Sequence, residues 1–137
     1  MQVRSNDPLM VRIAELGVGP AEVGRARREL SRRLLGWGVV GQEAHDALLL
    51  TNELVTNAIR HAEAPVVLSA GVLSSGRLRI EVHDGSETLA VRRDPGHDDV
   101  DGRGLLMVEA VAESWGCGAR DGGKHVWFQL AVPHPVL

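Results

Sequence analysis

The sequence predicts an α+β domain, a two-layer sandwich in which helices pack on one face of a mixed, mostly antiparallel sheet. Three observations carry that expectation. Helical periodicity comes early in the chain, where Val23, Ala26, Leu30 and Leu34 recur at spacings of three and four. Two runs rich in β-branched and apolar residues, 66–73 and 78–83, are separated by the turn residues Ser74 to Gly76 and read as a hairpin. Two further strand-like runs, 115–119 and 124–132, flank the turn "DGGK". Helices first and hairpins later fit a layer of helices on a sheet.

The elements follow in order. With 137 residues the chain reads as one domain, 1–137, and 44% hydrophobic content suffices for a single core. Residues 1–7 are polar and expected to fray, and 9–16 can form an edge strand ending at the turn Gly17 to Pro20. Pro20 suits the first position of a helix that Gly36 should stop, with Trp37 plugging the corner beyond it. A second helix is expected over 42–62, its core stripe being Leu48, Thr51, Val55, Ala58 and Ala62, with Pro65 closing it off. Between Gly85 and Gly104 apolar periodicity lapses. Polar loops of that length are usually lids, binding segments or disorder. Residues 105–112 resume as a short helix before the last two strands.

Composition removes several functional classes. Apolar runs such as Ala47 to Leu50 are far short of the roughly 20 residues that span a bilayer, and no apolar run follows a basic N-terminus. The cytoplasm is therefore the expected compartment, with no membrane partner. Cys117 is the single cysteine, so neither an internal disulfide nor a cysteine-rich zinc site can form. A formal net charge of −3 argues against direct nucleic-acid binding, although Arg25, Arg27, Arg28, Arg32 and Arg33 crowd one short segment, read as a solvated part of the helix. Lys124 is the only lysine. His83, His97, Asp98 and Asp99 lack the paired spacing of a metal motif, and no G-x-S-x-G elbow is present.

The chemistry-bearing residues begin in "TNELVTNAIRHA", an apolar helix that carries Asn52, Glu53 and Asn57 in its middle. Glu53, Asn57 and Arg60 share a stripe, the first two about 6 Å apart along the axis. An amide oxygen at Asn57 can ligate Mg²⁺, a hard cation that bridges phosphates, while a carboxylate at Glu53 can take a proton from a nucleophile. The alternative is an exposed face on which Glu53 and Arg60 pair with each other. In "VHDGS", Asp84 ends an apolar strand at the mouth of the polar loop, where it is either a cleft carboxylate or a turn residue. In "DGRGLLMVEAV", Gly102 and Gly104 allow close backbone approach, Arg103 adds charge, and the helix beginning near Leu105 would offer free N–H groups to phosphate oxygens.

This order of an Asn-bearing helix, a strand-end Asp and a glycine-flanked loop resembles the GHKL ATP-binding fold, the Bergerat type shared by gyrase-type ATPases, histidine kinases and a chaperone family. "ELVTNAIRHA", "VHDGS", "GRGLLMVEAVAESWG" and "GGKHVWFQL" are similar to the small anti-sigma-factor serine kinases and their actinobacterial regulatory relatives, over roughly 20–133. The resemblance implies Mg²⁺ ligation by Asn57, general-base action by Glu53, adenine reading by Asp84, an ATP lid at 85–104, and contacts to the nucleotide from Gly102, Arg103, Gly104, Leu105 and His125. It implies ATP and Mg²⁺ as cofactors, transfer of the γ-phosphoryl group to a serine of an anti-anti-sigma factor, and binding of a sigma factor. Relatives often dimerise, so a homodimer is among the expectations. The rival is a non-catalytic partner-switching module in which nucleotide only orders the lid. Two positions depart from the family pattern. Ser86 replaces a glycine after the adenine-reading Asp, and His125 stands where relatives often have a threonine, its bulk being expected to lower nucleotide affinity.

Overall fold

The computed structural model describes residues 9–61, 65–85, 107–120 and 122–133, apart from the side chains of His61 and Arg120. The described elements are β1 (Val11–Leu16), α1 (Ala21–Gly36), α2 (Gly41–His61), β2 (Val66–Val72), β3 (Arg77–Asp84), β4 (Ser114–Arg120) and β5 (Gly123–Ala131). The five strands form one sheet in the order β1-β2-β3-β5-β4, antiparallel at every neighbouring pair. Helical residues 107–111 precede β4.

The first helix ends at Gly36, where its sequence suggests. Gly38, at φ 75, makes the reversal. The Val39 N–H donates to the Leu34 carbonyl and the Gly38 N–H to the Leu35 carbonyl, the paired bonds of a left-handed glycine cap. At the other end Pro20 caps the helix from outside it. Glu22 in the first turn accepts from the Gly17 N–H at 2.9 Å and from Arg25 Nε at 2.8 Å. These bonds, Arg25 foremost, hold its carboxyl down at a pKa of about 2.

The core lies between the helices and one face of the sheet. Leu30 and Leu34 from α1, Leu50, Leu54 and Val55 from α2, and Leu68, Ile80, Phe128 and Leu130 from the strands are buried together, with Val108 from the short helix. Strand alternation then assigns the other residues. Leu78, Ile80, Val82 and Asp84 point toward the helices, whereas Arg77, Arg79, Glu81 and His83 occupy the opposite face. Those outer-face residues are not all solvated. Arg79 and Glu81 are 2% and 3% exposed.

Thr51 sits in the core stripe of α2 at 2% exposure, and its Oγ1 has no hydrogen-bond partner among the described residues. A buried hydroxyl without a partner carries its full desolvation cost. Thr51→Val removes that oxygen at nearly constant shape and is expected to raise unfolding stability by about 1 kcal/mol, read from the urea midpoint. A loss of stability instead would mean that the hydroxyl is satisfied.

Candidate functional site

The α2 stripe divides into a buried side and a flank. Ala47, Leu50, Thr51, Leu54, Val55 and Ala58 are buried, and Glu53 and Asn57 stand half-buried beside them, while Arg60 is exposed. No Glu53–Arg60 ion pair occurs among the described residues. Asn57 differs from an ordinary flank residue. Its Oδ1 is buried and has no hydrogen-bond partner among the described residues. Such an acceptor is costly unless a donor or cation from outside the described fold meets it.

Chain connectivity brings the same end of α2 to Asp84. Only residues 62–65 separate α2 from β2, at most roughly 18 Å of extended chain. The β2–β3 register then pairs Val67 with His83, which sets Val66, the first residue of β2, beside Asp84. Asp84 is 2% exposed and lies on the helix-facing side of the sheet. Directly across β5 stands Lys124, with its Nζ 4.0 Å from Asp84 Oδ2. Gly123 makes this approach possible: a Cβ there would come within 1.9 Å of the Asp84 carbonyl oxygen.

His125 falls on the other side. It pairs with His83 and Gly118, and one-residue alternation turns its side chain to the face opposite Asp84. On the Asp84 side of β5 stands its neighbour Lys124. Cys117 pairs with Val126 and shares the Lys124 side of the sheet. Cys117 is exposed, and partial desolvation pushes its thiol pKa up, against a weaker opposing pull from Lys124. Gly102, Arg103, Gly104 and Leu105, with Ser86 and the lid up to Gly104, lie outside the described residues.

Residues 18–130 match the model of the histidine kinase-like ATPase domain. The chain belongs to that family. Its members bind ATP. The fold agrees: a chain in the crystal structure of the SiaB-SiaC complex from Pseudomonas aeruginosa superposes with a TM-score of 0.62 at 15% identity, over 92% of each chain. No curated protein matches the sequence.

Within this ATPase domain the donor set at Asn57 fits Mg²⁺. A buried amide oxygen without a partner among the described residues is a neutral hard ligand, which suits a cation that keeps several waters and shares phosphate oxygens. Among the described residues no cluster of three or more His, Cys, Asp or Glu could hold a metal by itself. No helix among them is long and apolar enough to cross a membrane. The sequence singles out Glu53, Asn57 and Asp84 as candidates, and the structure sets Lys124 and Gly123 beside Asp84. The signal was available: a strand ending at Asp84 and a turn at "DGGK" pair Asp84 with the first polar residue after the glycines.

Proposed function

We propose that this histidine kinase-like ATPase domain is a cytoplasmic regulatory serine/threonine protein kinase of the anti-sigma-factor type, which uses Mg·ATP to phosphorylate an anti-anti-sigma partner and also binds a sigma factor. The observation that carries the reading is the buried Asn57 Oδ1, without a partner among the described residues, on the last turns of α2, which lead into β2, the strand whose first residue lies beside Asp84. Asn57 would hold Mg²⁺, whose charge offsets that of the phosphate oxygens when bound. Asp84 accepts a hydrogen bond from the adenine amino group. Glu53, one helical turn before Asn57, takes the proton of the attacking serine hydroxyl. Gly102, Arg103, Gly104 and Leu105 supply the phosphate-facing end of the lid. Most of the acceleration is positional, since phosphoryl transfer asks for in-line alignment more than covalent help. The matched structure is of a complex between two proteins, which supports a protein partner.

Thermal unfolding with nucleotide tests the binding half without knowledge of the partner. Millimolar ATP with Mg²⁺ is expected to raise the melting temperature of the wild type by several degrees, because binding to the native state stabilises it by mass action. Asn57→Ala should lose most of that shift and keep its own melting temperature near the wild-type value. An unshifted wild type would reject nucleotide binding. Transfer of label from γ-labelled ATP to a serine of an anti-anti-sigma protein tests the kinase half.

A further inference from the structure

Resting on the nucleotide reading above, we propose that Lys124 is a second base-reading residue, donating a hydrogen bond to ring nitrogen N1 of adenine while Asp84 accepts from the 6-amino group. The two side chains come from adjacent strands, are directly paired in register and face the helices together. Both are largely withdrawn from water, at 12% side-chain exposure for Lys124 and 3% for Asp84. Burying an ammonium group is costly unless it is paired and hydrogen-bonded. The 4.0 Å between Nζ and Oδ2 lies beyond hydrogen-bond reach, so this contact is Coulombic and consumes none of the three N–H donors.

A donor and an acceptor side by side on one face of the sheet form a template. Adenine presents an amino donor at position 6 and an acceptor at N1, adjacent atoms of one edge, which complement Asp84 and Lys124 in that order. Guanine in the same pose would set its O6 against the Asp84 carboxylate and its N1–H against the Lys124 ammonium. Both contacts are repulsive, so the pair selects ATP over GTP. Gly123 fixes the spacing, since any side chain there would collide with the Asp84 backbone and spread the two strands.

Calorimetric titration of the full chain with three Mg-nucleotides tests the assignment: ATP, its 1-deaza analogue, which keeps the amine and lacks N1, and purine riboside triphosphate, which keeps N1 and lacks the amine. Wild type is expected to bind the 1-deaza analogue about 10- to 100-fold more weakly than ATP, the loss of a charge-assisted bond. Lys124→Met should weaken ATP by a similar factor and no longer distinguish the two, while still discriminating against purine riboside triphosphate. Equal binding of ATP and the 1-deaza analogue by wild type overturns the proposal and leaves the nucleotide reading intact. The proposal fails in the same way if Lys124→Met weakens both equally, which is the behaviour of a residue that only positions Asp84. Failure of wild type to bind ATP at all rejects both readings, and the wild-type arm decides even if the variant does not fold.

Discussion

Arg79→Ala is expected to destabilise the protein by about 3–5 kcal/mol, a large share of the stability of a domain this size. Arg79 is 2% exposed on the sheet face away from the helices, and its Nε donates to Glu81 Oε2 at 2.7 Å. Its guanidinium also stacks on Trp127, 4.1 Å from the ring centroid. The indole lies flat because Gly116 on β4 has no side chain; a Cβ there would meet Trp127 Nε1 at 2.8 Å. Removing the guanidinium breaks the ion pair with the Glu81 carboxylate, itself 3% exposed, and strips the face of Trp127. The comparison that isolates the charge is the double variant Arg79→Met with Glu81→Leu. Replacing both partners with apolar groups of similar volume is expected to be neutral or stabilising by about 1–4 kcal/mol. Urea unfolding of the two variants reads the difference directly. A loss below about 1 kcal/mol in Arg79→Ala would mean that Glu81 relaxes to water and that the cluster contributes little.

That cluster also marks where the sequence stopped being readable. "RLRIEVHD" alternates charged and apolar residues, the pattern of a strand with one wet face, and nothing local says that Arg79 and Glu81 are buried. Their burial depends on Trp127 and Gly116, which lie far along the chain and meet β3 only through the strand order β3-β5-β4. Short-range features were legible. The α2 stripe announced Glu53 and Asn57 by period, and Asp84 by its place at a strand end. The strand order and the wholly antiparallel pairing of the described strands required coordinates, because hairpins alone do not say which edge of β3 receives β5. Two distinctions of one residue are set only by the backbone. Gly36 and Gly38 are equally good stop signals by composition, and only the left-handed backbone at Gly38 distinguishes them. His125 and Lys124 are neighbours, and a shift of one residue in a strand exchanges the two faces of the sheet.

Glu53→Gln is the variant with the largest expected effect on function: phosphotransfer to the partner serine falls by about 10²–10⁴-fold, the contribution of a positioned general base. The substitution keeps the volume and hydrogen-bonding shape of a half-buried flank residue, so stability should change by less than about 0.5 kcal/mol. It also removes no ligand of the base or the metal in the proposed site, and the ATP-dependent rise in melting temperature should survive. This dissociation of binding from turnover separates the kinase from its rival. In a non-catalytic module, whose signal is carried by nucleotide-dependent partner contact, the variant would bind ATP and its partner as before and its regulatory output would not change. In the kinase, output collapses with binding preserved. Single-turnover transfer at saturating Mg·ATP is the decisive measurement, since it reports the chemical step without contribution from product release. If the variant transfers phosphate at the wild-type rate, Glu53 is not the base, and the serine proton must leave by another route.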